Sequence, residues 1–200
     1  MIKNIVFDMG QVLIQFKDEC TIYPFVPVAD RELVANVVLD REYWDALDIG
    51  AITDAEVVEK IKGRLPQRLW AAAEECYYGI VVNTPETEGM ADLIRDVKAR
   101  FGIKCYLLSN INQHFADNYQ QSPILRLMDG CVFSAPLKMV KPQPEIYQHM
   151  LDKFAIDPKE TVFVDDRIEN VEAAEKFGII GYVFDGDVEK LKAYFETILA

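Results

Sequence analysis

Apolar positions follow two rhythms along this chain. Short, largely apolar runs have the length and the β-branched and aromatic content of strands: Ile5-Val6-Phe7, Ile103 to Leu108, Cys131-Val132-Phe133, Thr161 to Val164 and Ile179 to Phe184, the first and the fourth of them apolar enough for strands buried on both faces. Between them apolar residues recur every three or four positions, as Leu93, Ile94 and Val97 do in the segment Met90 to Arg100, which Phe101-Gly102 closes. Helices are also expected over about 144–154 and 169–177, and a weaker one from Gln113 onward. Strands alternating with helices imply right-handed crossovers and a parallel sheet, so the expected class is α/β with a Rossmann-like, doubly wound sheet.

From Phe16 to Val82 the strand rhythm is missing. Leu33, Val34, Val37 and Val38 form one stripe, Val57, Val58 and Ile61 a second, and Leu69, Trp70 and Ala73 a third. Gly50 ends one of these helices, and Thr53 opens the next as N-cap with Glu56 three residues on, a capping box. Asn83-Thr84-Pro85-Glu86 marks the return. The expected organisation is a core of residues 1–15 and 83–200 interrupted by a helical insertion, 16–82.

Composition sharpens this picture. Half of the 200 residues are apolar, enough for a self-sufficient core, and the four cysteines are widely spaced without a CxxC pair, as free thiols in a reducing compartment would be. No apolar run approaches the roughly 20 residues that span a bilayer, and the first apolar run leads to Asp8 rather than to a cleavage site. A soluble, cytoplasmic protein is expected, with no membrane contact. The net charge of -12, without a Lys/Arg cluster, argues against nucleic acid. An acidic chain that handles phosphate needs a divalent cation and a few well-placed positive side chains.

Such groups stand where the strands end. Ligands of open α/β sheets collect beyond the carboxyl ends of the strands, and Asp8 is the first polar residue past the first of them, a candidate nucleophile. Ser109-Asn110 follow the second strand and offer neutral donors to a phosphate oxygen. Lys141, braced by Pro142 and Pro144, is a candidate local cation. Asp165-Asp166 follow a buried strand as adjacent carboxylates that repel each other without a cation, and Mg²⁺ suits such a pair. Taken singly, each stretch reads equally as a turn, a helix cap or a solvated lysine.

Together, Phe7-Asp8-Met9-Gly10, Leu108-Ser109-Asn110, Lys141-Pro142 and Val164-Asp165-Asp166 with Asn170 resemble the four ordered motifs of the haloacid dehalogenase-like hydrolases. The insertion resembles the type 1 cap of that superfamily, and the stretches Tyr43 to Thr53 and Lys141 to Tyr147 are similar to sugar-phosphate phosphatases such as bacterial α-glucose-1-phosphatases. The resemblance implies attack of Asp8 on phosphorus, an aspartyl-phosphate, and Mg²⁺ held by Asp8, the Gly10 carbonyl, Asp166 and Asp165. It further implies that Ser109 and Asn110 bind the phosphoryl group, with Lys141 bridging it to Asp8.

One position departs from the pattern. Most phosphatases of this kind carry a second aspartate two residues after the nucleophile as general acid and base, and here Gly10 stands there. Proton transfer by a positioned side chain is typically worth about 10²–10⁴-fold, so its loss favours substrates with good leaving groups. Two other readings stay open: a dehalogenase of the same fold, and a catalytically weak protein that binds a phosphometabolite or a protein partner. His114 and His149 lack zinc-site spacing, and Tyr43 and Trp44 are expected in the core.

Overall fold

The computed structural model describes residues 1–199. Its elements in chain order are β1 (Asn4–Phe7), α1 (Asp18–Thr21), α2 (Arg31–Val38), α3 (Arg41–Asp48), α4 (Asp54–Arg64), α5 (Trp70–Asn83), α6 (Met90–Phe101), β2 (Lys104–Ser109), α7 (Gln113–Asn118), β3 (Gly130–Phe133), α8 (Ser134–Leu137), α9 (Pro144–Phe154), β4 (Thr161–Asp165), α10 (Ile168–Glu175), β5 (Ile180–Val183) and α11 (Val188–Leu199). The strands form one parallel sheet in the order β3-β2-β1-β4-β5. This is the doubly wound α/β arrangement expected from the sequence. The order reverses between β1 and β4, and the crevice outside their carboxyl ends is where such sheets bind ligands.

Side chains alternate across the strands, so each strand feeds two cores. Ile5, Phe7, Cys105, Leu107, Val162 and Val164 face α6 and α11, whereas Val6, Leu108, Val132 and Phe163 face α9 and α10. Both faces being covered explains why β1 and β4 read as unbroken apolar runs.

The helices between residues 16 and 83 gather around a third cluster that includes Ile22, Val34, Val38, Leu47, Val57, Ile61 and Tyr77. The capping box of Thr53 and Glu56 is present at the start of α4. Helix α5 runs unbroken through the expected junction, with Ala73, Cys76 and Tyr77 in the third cluster and Ile80 and Val81 under the sheet. Outgoing and returning segments pair: Gln15 donates its amide to Pro85 O at 2.8 Å, and Thr87 donates to Leu13 O at 2.9 Å. Asp54, first residue of α4, accepts from Tyr77 Oη, Asn112 Nδ2 and the His114 amide, which fastens α4 to the start of α7.

As the sequence implies, β1 stops before Asp8; Gln11 adopts φ 58°, and the amides of Leu13 and Ile14 both return to Met9 O, so Val12 and Leu13 fold back into the core. Helix α11 is not part of the sequence reading, because no strand follows to frame it; it docks Leu191, Phe195 and Leu199 on the sheet. All four cysteines are free thiols. Among the described residues no helix is long and apolar enough to cross a membrane.

Candidate active site

The parallel register pairs Phe7 with Val164, so the two strands deliver their next residues, Asp8 and Asp165, to the same level of the crevice. Lys141 joins them: its Nζ lies 2.6 Å from Asp8 Oδ1 and 2.7 Å from Asp165 Oδ2, and its side chain is 2% exposed. A buried lysine is costly to hold unless both its charge and its donors are matched, and two carboxylates do so here. Its backbone is clamped by Asn110, which accepts from the Lys141 amide at 2.8 Å through Oδ1 and donates to the Lys141 carbonyl at 3.0 Å through Nδ2. The Lys141-Pro142 peptide bond is cis.

Asp165 is saturated. Besides Lys141 it accepts from Asn170 Nδ2 on both oxygens, at 3.0 and 3.1 Å, and from the Arg167 amide at 2.9 Å. Asp8 and Asp166 instead border an open cavity of about 360 Å³, together with Gly10, Asn110, Lys141, Arg167 and Asn170 on the sheet side and Phe16, Arg41, Asp45 and Asp48 on the other. A second cavity of about 430 Å³ shares Phe16, Arg41, Asp45, Asp48 and Asn110, and adds the apolar wall Leu39, Trp44, Ile80 and Ile111.

The electrostatics of the cluster call for a cation. Burial, reinforced by the Asp165 charge, pushes Asp8 up to about 7 against the opposing pull of Lys141. Asp166 is raised by burial and by its neighbour Asp165. For Lys141, burial is outweighed by Asp8 and Asp165, which hold it above the usual lysine range. Oxygens of Asp8, Asp165 and Asp166 lie within 4.8 Å of one another, and the buried Oδ1 of Asn170 has no partner, so it is free to accept from a metal-bound water. This hard, all-oxygen donor set beside an open cavity fits a hydrated Mg²⁺.

The structure therefore assembles Asp8, Gly10, Asn110, Lys141, Asp165 and Asp166 at one place, and distributes their work unevenly. Asp165 is spent on Lys141 and Asn170, so of the three clustered carboxylates Asp8 and Asp166 reach the cavity. Asn110 commits its oxygen and one N–H to Lys141, leaving a single N–H for a ligand. Ser109 is 1% exposed at the end of β2 and is not part of the cavity wall. Gly10 does not adopt a positive φ; a Cβ there would meet the Phe16 ring at 3.0 Å. His114 packs on Tyr78 away from this cluster, and Tyr43 is buried while Trp44 stacks on Tyr77 beside the second cavity.

Phe16, Arg41 and Asp48 were not singled out from the sequence. For Asp48 one signal was available: an acidic residue at the last position of a helix is disfavoured by the helix dipole, and Asp48 ends α3. What brings it over the crevice is Gly50. With φ +62° and a would-be Cβ only 2.7 Å from the Ala135 carbonyl, Gly50 lets the chain after α3 press against α8. Gly50→Ala is expected to destabilise the fold by about 1–3 kcal/mol through strain and this contact, read as a lowered thermal midpoint. An unchanged midpoint would refute the account of that contact.

An open parallel sheet with an acidic, lysine-bridged site at its switch point places the protein in the Rossmann-like α/β class. The chain matches the haloacid dehalogenase-like hydrolases over residues 2–178 and belongs to that family. It is 29% identical to a sesquiterpene phosphatase of Aspergillus oryzae, over 90% of this chain and 88% of that one. It is 26% identical to a D-ribitol-5-phosphate phosphatase of Bacteroides thetaiotaomicron, over 89% of each. Among solved structures, a family member from Bacteroides thetaiotaomicron in complex with magnesium and inorganic phosphate superposes with a TM-score of 0.70 at 25% identity, covering 96% of this chain and 99% of that one. A dehalogenase at 19% identity, TM-score 0.72, covering 100% and 98%, shares the fold.

Proposed function

We propose that this protein is a Mg²⁺-dependent phosphatase of small phosphorylated metabolites, sugar phosphates among them, that works through an aspartyl-phosphate on Asp8. The observation that carries this reading is the cluster of Asp8, Lys141, Asp165 and Asp166 at one open cavity. Asp8 and Asp166, with the Gly10 carbonyl, are the groups to hold the metal, which when bound neutralises charge on the phosphoryl oxygens. Asp8 attacks phosphorus and the alcohol leaves; water then attacks the phosphoryl group and restores the carboxylate. Lys141 fixes the orientation of Asp8 and, with the remaining N–H of Asn110, receives the phosphoryl oxygens, whereas Ser109, buried behind the cavity wall, does not reach them. Helices of residues 16–82 act as the cap that shapes the leaving-group side.

The apolar wall of Phe16, Leu39, Trp44, Ile80 and Ile111 favours a second reading of the substrate: an ester whose alcohol is largely hydrocarbon. A relative named for sesquiterpenes agrees with it. The experiment is phosphate release with and without Mg²⁺ across sugar phosphates, a prenyl phosphate and an aryl phosphate. Metal-dependent turnover is expected. Phosphate binding without turnover, or halide release from a 2-haloacid with no phosphatase activity, would overturn the reading in favour of a binding protein or a dehalogenase.

A further inference from the structure

The chain lacks a carboxylate at Gly10, yet a carboxylate faces the same cavity from the opposite wall. Asp48 ends α3, borders both cavities, and has a buried Oδ1 without a hydrogen-bond partner. We propose that Asp48 is the general acid and base of the reaction, reaching the leaving oxygen from the helical side where Gly10 cannot. This rests on the phosphatase reading above and assigns its missing proton carrier.

The chemistry closes. As an Asp8 oxygen bonds to phosphorus and the bond from phosphorus to the leaving oxygen breaks, the Asp48 carboxyl proton passes to that oxygen and an alcohol departs. Asp48, now ionised, takes a proton from water as the water oxygen bonds to phosphorus and the bond to Asp8 breaks. Inorganic phosphate leaves, Asp8 is again a carboxylate and Asp48 again carries its proton.

Its surroundings suit the role. Burial, with the nearby charges of Asp45 and Asp8, raises Asp48 to about 7 against the pull of Lys141 and Arg41, so near neutrality it exists in both required forms. Also facing this region are Asp166 and Arg167 from the end of β4 and Asp18 from α1, and Lys138 lies beside Gly50, two residues on from Asp48. The position is fixed rather than incidental, because Gly50 seats the end of α3 against α8. Gly10 and Asp48 thus form one arrangement: the turn after β1 carries no acid, its space is closed by the Phe16 ring, and the acid comes from α3.

The test compares an alkyl phosphate with 4-nitrophenyl phosphate, whose leaving group needs no proton. In Asp48→Asn the ratio of kcat/KM on the alkyl ester to that on the aryl ester should fall by about 10²-fold or more, as loss of a general acid predicts. A ratio unchanged in the folded variant would overturn the proposal and reduce Asp48 to a wall residue. A second test needs no variant: with the wild-type enzyme, ionisation of Asp8 affects both esters alike, so the ratio of kcat/KM on the alkyl ester to that on the aryl ester should fall as pH rises through about 7 and Asp48 ionises. Parallel profiles for the two esters would overturn it equally. Failure of the phosphatase reading itself is distinguishable, since the wild type would then turn over neither ester.

Discussion

Asp8→Asn is expected to give a folded protein whose phosphate release has fallen by roughly 10⁴-fold or more, the scale on which removal of a nucleophile acts. The amide keeps the shape and one acceptor for Lys141, so the loss lies in chemistry rather than in folding. Stability should move the other way. Asp8 is held at about 7 when folded, against 3.8 for an ordinary aspartate in the unfolded chain, so the folded state resists its ionisation. The resulting penalty is absent below pH 3.8, grows as pH rises, and is complete above about 7. In metal-free buffer Asp8→Asn should therefore melt higher than the wild type at pH 8, and the gain should vanish near pH 4. Near-normal turnover, or a lower melting temperature at pH 8, would sink the account.

Lys141→Met has the second large effect, and its sign in pH is diagnostic. The methionine fills similar volume but leaves Asp8 and Asp165 facing each other with no cation, and stranding a buried charge costs about 3–5 kcal/mol. Asp8, already raised by burial, is then driven further toward its protonated form in the folded state. Its raised folded pKa means that stability is lost as pH rises, so the variant should be weakest at pH 8 and recover part of the deficit at pH 5. Activity should be lost at every pH, because Asp8 loses its anchor. Thermal melts of wild type and variant at the two pH values decide it; equal deficits at both would mean that the buried pairs carry no net charge to relieve.

What could be read from the sequence and what could not follow from the range of the interactions. Asp8 and Asp165-Asp166 were legible because a polar residue closing a fully buried strand is a local signal with a fixed geometric meaning. Lys141 followed from charge: acidic residues at a phosphate site demand a partner, and it stood braced by prolines. Asn110 was located, but not its work, since a clamp on the backbone of Lys141 spans 31 residues and has no local trace. Asp48 was passed over for the same reason. Its placement depends on Gly50 meeting Ala135, a contact between the helical segment and the sheet side that no periodicity encodes. Helix α11 failed differently: Leu191, Phe195 and Leu199 do recur at helical spacing, but the surface they cover is defined only once the sheet exists.

The two cavities share a wall, with Asp8 and Asp166 bordering one and Leu39, Trp44, Ile80 and Ile111 lining the other. In the proposed two-step reaction this layout has an order built into it. The alcohol would vacate its chamber while the phosphoryl group is still bonded to Asp8, and for that interval the chamber would stand open to whatever fits it. Water is small and always present, but a second alcohol that suits the apolar wall would compete with it for the same phosphorus. On the proposed mechanism the hydrocarbon wall would set more than which ester is cleaved: it would also set the fate of the phosphoryl group, through the residence time of one departing molecule.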